Sequence, residues 1–320
     1  MMKIPTALAV LAASLMAPTA FAQSYPAQTV KIIVGFPPGG TTDVVGRLVA
    51  QTLSESLGKS FVVDNRGGAS GTIGAGLVAK AEPDGHTLLV VSSTHGTAPS
   101  LYANLPYQEK DLIPVALVAS TPYVFVVHPD IKVDTFAQLL ALLRQHPGKY
   151  NFASSSPGTA QHLGGELVKR AAGVDMVHIP YKGSGALMPD LLSGRIQMMF
   201  ENVAIMTPHI RKGSLKGLAV SSARRTALLP EVPTVAESGV PGFEVLGWFA
   251  LLTPAGTPPD IVRLLNAEIN KMIVKPAIAQ RFASLGAEAL PSTPGETVAF
   301  IRAEQDKWGR VIREVGIKAE

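Results

Sequence analysis

The sequence predicts an α/β protein of two lobes, each built on a mixed, mostly parallel sheet with helices on both faces. Three observations carry this. Short apolar runs alternate with segments of helical period along the chain, which requires crossover connections and hence parallel pairing. At 320 residues the chain is long enough for two cores of ordinary size. With 47% apolar residues against 16% charged, it is too apolar for a disordered chain.

The elements follow in order. Val30–Val34 reads as a strand. After a Pro/Gly turn, Val44, Val45, Leu48, Val49, Leu53 and Leu57 fall at helical spacing, and Gly58 supplies the stop. Residues 61–63 form a second strand, and a glycine-rich bend over 67–76 leads into a helix carrying Ile73, Leu77 and Val78. Asp84 and Gly85 turn the chain into a strand over 86–91. Further strands are read over 123–127, 150–152, 176–181, 195–200 and 215–220, with helices over 136–144 and 160–172 between them. The last third is largely helical, over 260–273, 277–285 and 295–315.

Ahead of these elements, Lys3 is the only charge before an apolar stretch from Thr6 to Ala17, followed by Pro18 and Ala20-Phe21-Ala22. A basic start, an apolar core too short to span a bilayer and a small-x-small site predict an export signal cleaved after Ala22. The protein expected from Gln23 onward has 298 residues and is soluble and exported, with periplasmic localisation. The absence of cysteine excludes a disulfide scaffold, a cysteine nucleophile and an acylated N-terminal Cys. The net charge of +4 rests on 28 basic against 24 acidic residues with no run longer than Arg224-Arg225, so no nucleic-acid partner is expected.

In mostly parallel sheets, ligands sit beyond the carboxyl ends of strands. Two loops there share one design. Phe36-Pro37-Pro38-Gly39-Gly40-Thr41-Thr42-Asp43 follows the first strand, and Ser154-Ser155-Ser156-Pro157-Gly158-Thr159 precedes the helix over 160–172. Glycines admit close backbone approach, hydroxyls cap or donate, and amides at a helix start attract a carboxylate or phosphate. Gly68-Ala69-Ser70-Gly71-Thr72 and Ser92-Ser93-Thr94 have the same composition. Such loops also serve as ordinary α/β connections; their recurrence in both halves is what raises the ligand-binding reading. Enzyme motifs fail: Gly58-Lys59-Ser60 lacks the leading glycine of a P-loop, because position 53 is Leu, and no G-x-S-x-G elbow occurs. The seven histidines include no pair at helical ligand spacing, so neither a metal nor a cofactor is expected. Asp43 and Glu166 stand near helix starts, where a carboxylate is favourable for structural reasons alone.

Read together, these segments resemble the Bug-type extracytoplasmic solute-binding receptors of the tripartite tricarboxylate transporter family. The resemblance runs through Gly35-Phe36-Pro37-Pro38-Gly39-Gly40 with Asp43, Asn65-Arg66, Ala81-Glu82-Pro83-Asp84-Gly85, residues 154–166, Pro180-Tyr181-Lys182-Gly183 with Asp190 to Gly194, and residues 230–239. The sequence departs from that pattern at His86, where Tyr is usual, at Ala186, where Pro is common, and at Glu201, more often Asp. The resemblance implies a two-lobed, type II periplasmic-binding-protein (Venus-flytrap) fold, with lobe one over 23–122 and 247–320 and lobe two over 123–246. It further implies capture of a small carboxylate by amides, hydroxyls and waters, no catalysis, delivery to transporter membrane subunits, and a monomer. The ligand-binding candidates are Phe36, Pro38, Gly39, Gly40, Thr41 and Asp43 in the first loop, then Gly71 and Thr94. In the second half they are Ser154, Ser156, Gly158, Thr159 and His162, with Tyr181, Lys182, Gly183 and Glu201. Two other readings stay open: a sensor for a membrane signalling partner, and a hydrolase using residues 154–156 with His162.

Overall fold

A computed structural model describes residues 25–181 and 184–317. The predicted export signal lies outside them. The β-branched run Val30–Val34 forms β1, and the segment after Gly40 becomes the helix α1 (Thr41–Leu57), ended by left-handed Gly58. β2 (Phe61–Asn65), α2 (Thr72–Val78) and β3 (Thr87–Ser92) follow, then a short helix α3 (Thr94–Leu101) that the sequence reading did not separate from its loop. Its sequence, Thr94-His95-Gly96-Thr97-Ala98-Pro99-Ser100-Leu101, has no apolar period to announce it.

The next strand, β4 (Leu112–Val127), is far longer than the 123–127 expected. After it come α4 (Phe136–Gln145), β5 (Asn151–Ser154), α5 (Ala160–Ala172), β6 (Val177–Pro180), α6 (Ser184–Leu192), β7 (Met198–Asn202), α7 (Val203–Arg211) and β8 (Lys216–Val220). The chain closes with β9 (Leu246–Pro254), α8 (Pro259–Ile273), α9 (Pro276–Ser284), the two-residue β10 (Glu288–Ala289) and α10 (Pro294–Val315). Thr293 and Glu296 close a capping box at the start of α10.

The strands run β2-β1-β3-β9-β4-β7-β5-β6, with β8 and β10 also on β4. The expected parallel pairs are β1 with β2 and β3, and β5 with β6 and β7. Antiparallel pairing is more extensive than anticipated, because β9 and the first part of β4 pass through the middle of the molecule. Both were hidden for physical reasons. Residues 248–252 are a continuous apolar run buried on both faces, which carries no period-two signal. In β4, Pro114 and Pro122 argue against a central strand. Pro114 sits at a bulge, and Pro122 stands where pairing with β9 ends and pairing with β7 and β8 begins at Tyr123 and Val124.

This two-lobed periplasmic-binding-protein fold has one sheet per lobe, and the two sheets meet along β4. At the junction the Tyr123 amide donates to Ser221 Oγ (2.8 Å), while the Ser221 amide donates to the Tyr123 carbonyl (2.9 Å). On one side, α1, α8 and α9 pack with β1 and β3 around Ile32, Val49, Leu265 and Phe282. On the other, α4 and α5 cover Phe125, Phe152 and Phe200. The approach of α5 is close: a Cβ on Gly164 or Gly165 would come within 2.3 Å of Phe200 or 2.2 Å of Phe152. The helix α10 serves both, placing Ile301 against Trp248 and Leu252, and Trp308, Val311 and Ile312 among Leu163, Val168 and Phe243.

Candidate ligand-binding cleft

Both glycine-containing loops emerge at the carboxyl ends of parallel strands, β1 and β5, and face a shared cavity of about 560 Å³. One wall is Phe36, Pro37, Pro38, Gly40, Thr41 and Thr42, joined by Ser92, Ser93 and Thr94 from the end of β3. The opposite wall is Ser155, Thr159, Ala160 and Gln161 at the start of α5, with Gly185, Glu201, Asn202 and Ile205. Thr121, Tyr123, Gly247 and Phe249 form the floor, where β4 and β9 pass between the sheets. Among the described residues, no lysine or arginine lines it.

The first loop is held by one buried carboxylate. Asp43 Oδ2 accepts from the Gly39 amide (2.9 Å) and from Arg47 Nε (3.0 Å), and its Oδ1 accepts from Asn65 Nδ2 (2.9 Å). Asn65 also donates to the Phe36 carbonyl at 2.9 Å. Burial pushes the Asp43 carboxyl up, but bonds from Arg47, Gly39 and Asn65, with the Arg47 charge, hold it below the usual carboxylate range. It stays anionic and keeps the loop fixed. At the N-cap of α1 stands Gly40, which has no side chain to cap with, so the first turn of the helix, at Thr41 and Thr42, reaches the cavity without a side-chain cap.

The second loop is braced differently. The Gly158 amide donates to Nδ1 of buried His162 (3.0 Å), and Thr159 Oγ1 caps α5 by accepting from the His162 amide. The His162 ring stacks on His178 at a centroid distance of 3.7 Å and 7° between planes. Burial, then His178 and Lys169, lower His162 to about 3; burial and Lys169 lower His178 to about 4. Both imidazoles are therefore neutral at pH 7. Gln161 Oε1 accepts from the Ser155 amide (3.0 Å), and its Nε2 donates to Glu201 Oε2 (2.7 Å). Between the lobes, burial and the neighbouring Glu201 push the Tyr123 hydroxyl well above its ordinary range, against a hydrogen bond with Ser93. It faces the cavity as a neutral hydroxyl.

Residues 45–317 match the family described as "Tripartite tricarboxylate transporter family receptor". The chain belongs to that family. Protein BugT of Bordetella pertussis is 43% identical over 300 residues, covering 93% of this chain and 92% of that protein. Of the solved structures, Rpa4515 of R. palustris with adipate has a TM-score of 0.83 at 35% identity, covering 92% of this chain and 99% of that one. MatC (Rpa3494) of Rhodopseudomonas palustris with bound malate has a TM-score of 0.78 at 30% identity, covering 90% of this chain and all of that one. The protein is thus a Bug-type receptor of the periplasmic solute-binding class.

In this receptor the structure divides the sequence candidates. Phe36, Pro38, Gly40, Thr41, Thr94, Thr159 and Glu201 line the cavity. Gly39, Asp43, Gly158 and His162 stand behind it, holding the loops as described. Gly71 packs under the Phe36 ring, where a Cβ would come within 3.2 Å. Ser154 is fully buried; its Oγ donates to the Ser156 carbonyl (3.0 Å) and lies 2.7 Å from His178 Nε2. The Ser156 carbonyl also accepts from Thr159 Oγ1 (2.8 Å). Tyr181 turns its hydroxyl to Asp190 Oδ2 (2.6 Å). Lys182 and Gly183 lie outside the described residues.

The sequence reading included Ser155 only as part of its loop, and passed over Gln161, Tyr123 and Asn202 as site residues. Gln161 could have been found, since it adjoins His162 in the first turn of the expected helix. Asn202 signalled itself as the N-cap of α7, accepting from the Ala204 amide (2.8 Å), but that helix went unread.

Proposed function

We propose that this receptor captures a small carboxylate in the cleft, closes on it, and presents the closed form to the membrane subunits of a tripartite tricarboxylate transporter. One observation carries the reading. The uncapped start of α1 opens into an interlobe cavity of about 560 Å³ whose described lining supplies amides and hydroxyls but no cation. Helix amides and the α1 dipole favour a carboxylate there without a buried guanidinium to desolvate. Ser155, Thr159 and Gln161 meet the other end of the ligand. Contacts to both walls bias the open–closed equilibrium by their difference between the two states. The adipate and malate named for the two solved relatives make these acids the first probes.

The lobe boundaries are placed at 122/123 and 246/247, with α10 spanning both lobes, and maturation removes residues 1–22. The receptor acts without chemistry on its ligand. Ser154, the serine nearest an imidazole, is buried and gives its hydrogen to Ser156, so it is not poised as a nucleophile.

The test is calorimetric titration with adipate, malate, citrate and glutamate, using two variants of Thr41. Proline suits the first helical position, so Thr41→Pro deletes one amide donor and leaves the helix intact. Thr41→Val removes the hydroxyl and keeps the amide. Binding of at least one acid is expected, weakened about tenfold or more in Thr41→Pro, the loss of a hydrogen bond to a charged group. If none of the acids bound, or if Thr41→Pro bound as tightly as Thr41→Val, the α1 docking site would be wrong.

A further inference from the structure

Gly158 is gripped on both sides. Its amide donates to His162 Nδ1 at 3.0 Å, and its carbonyl lies 3.3 Å from Thr97 Oγ1, whose one hydrogen is shared with the Thr94 carbonyl at 3.1 Å. Thr97 lies on α3, which follows a strand of the other sheet, so the second grip crosses between lobes. Leu101 of the same helix packs onto Gly158, and Thr97 and Gly158 are buried. The hydrogen-bond pattern also assigns the tautomers. Nδ1 of His162 accepts, so that ring carries its proton on Nε2. Ser154 Oγ gives its hydrogen to Ser156, so it accepts from His178 Nε2, which is likewise protonated.

We propose that His162, stacked on His178, is the positioning residue that holds Gly158 in a latch between the lobes, and that protonating this pair releases the latch and shortens retention of the ligand. A proton on His162 Nδ1 replaces the acceptor with a donor facing the Gly158 amide. It also sets a cation against the neighbouring ring at 3.7 Å. The statement about the ligand rests on the receptor reading above; the latch itself does not.

Of the surrounding charges, Lys169 acts on both rings and disfavours their protonation. On α5, Lys169 is paired with Glu166 (3.1 Å) and reaches Asp175, ahead of β6, at 3.7 Å. From α10, Glu314 pairs with Arg170. On α6, Asp190 takes Tyr181 and Arg195. On β7, Glu201 takes Gln161 and the Asn202 amide. Just past α3, the Tyr102 hydroxyl donates to Ser70 Oγ. The Phe152 ring of β5 also packs near both imidazoles.

The experiment uses the full chain with His162→Leu, which has no acceptor; His162→Asn, whose Oδ1 is an acceptor that does not titrate; and Thr97→Val, which removes the cross-lobe bond together with the local bond from Thr97 Oγ1 to the Thr94 carbonyl. Amide exchange at Gly158, at about pH 7.5, should rise roughly tenfold or more in His162→Leu and stay within about threefold of the parent in His162→Asn. With adipate bound, the dissociation rate of the parent should climb as pH falls from about 5 toward about 3, where rings lowered to about 4 and about 3 take up protons. In His162→Asn, where His178 and adipate still titrate, the climb should be several-fold smaller, so the parent-to-variant ratio is the quantity to read. In Thr97→Val it should be faster throughout and keep the acid dependence. Unchanged Gly158 exchange in His162→Leu, or the parent's acid profile surviving in His162→Asn, overturns the latch. Should adipate fail to bind the parent, the choice of ligand falls, while the exchange data still decide the latch.

Discussion

The two cleft loops are built on one plan and differ in what completes it. In each, a strand ends, a left-handed glycine turns the chain, and the third residue of the following helix reaches back to that glycine's amide. Asp43 does this for Gly39 (φ 86°) at 2.9 Å, and His162 does it for Gly158 (φ 73°) at 3.0 Å. The brace is a paired carboxylate in the first loop and a stacked imidazole in the second. Helix α1 begins uncapped, whereas α5 is capped by Thr159. Space around Gly39 is open, while Gly158 is wedged against Leu101. A shared backbone geometry can therefore serve the two tasks proposed above: amides offered to a ligand by the first loop, and a tie between the lobes by the second.

The sharpest way to break this comparison is to add one methyl group to each glycine. At Gly39 a Cβ meets nothing within 4 Å, so Gly39→Ala bears only the left-handed backbone penalty, about 1 kcal/mol. At Gly158 a Cβ would lie 2.2 Å from Leu101 Cδ1. Overpacking adds to the backbone penalty, so Gly158→Ala should lose about 4 kcal/mol in urea unfolding. Equal losses would mean that the second loop is not wedged.

Acid separates the loops next. An unfolded histidine titrates near about pH 6.5. His162 and His178 sit at about 3 and about 4 when folded, so across this window the unfolded chain binds more protons. Their contribution is complete above about pH 6.5 and is lost as pH falls toward about 3, on the order of 5 kcal/mol for the two rings by about pH 4.5. Burial lowers His95 to about 4 as well, so the quantity to read is the difference between the parent and His162→Asn. Asp43 behaves oppositely in range: its carboxyl is held low, so its contribution persists above the ordinary carboxylate pKa and disappears only as pH falls through the lowered value. Urea unfolding from pH 7 to 4.5 should show a slope that flattens in His162→Asn and persists in Asp43→Asn. Asp43→Asn should lose about 2 kcal/mol at every pH in that range, since the amide cannot accept all three bonds.

How far the sequence revealed this follows from the same loops. The strand–glycine–helix segments were legible because glycine, proline and hydroxyl residues punctuate them, and the helices they open, α1 and α5, carry clear apolar periods. What lay beneath was not legible. Nothing in the order of residues says that His162 meets His178, 16 positions on, because that contact depends on β5 and β6 lying side by side in register. Nor does it show that Gly158 meets Thr97, which needs both lobes assembled. The long β4 was obscured by its prolines, whose missing amides suit the bulge at Pro114 and the exchange of partners at Pro122. Candidates chosen for their chemistry, such as Asp43 and Ser154, proved to stabilise the walls from behind.

The smallest effect sharpens the division of labour most, because it pairs a stability loss in one loop with a binding loss in the other. Thr159 caps α5 through its hydroxyl, so Thr159→Ala should lower stability by about 1 kcal/mol. The corresponding position in the first loop is Gly40, extended at φ −78°, where an added Cβ finds only the Pro37 carbonyl at 3.9 Å. Gly40→Ala forfeits no side-chain cap and strains no backbone, so its urea midpoint should fall no further than that of Thr159→Ala. Its methyl group, however, stands beside the amides that open on the cleft, and adipate affinity should fall by roughly three- to tenfold as the carboxylate is held off them. If Gly40→Ala bound adipate like the parent while Thr159→Ala lost binding out of proportion to its stability, the tasks would be reversed: α5 would dock the acid, and α1 would merely frame it.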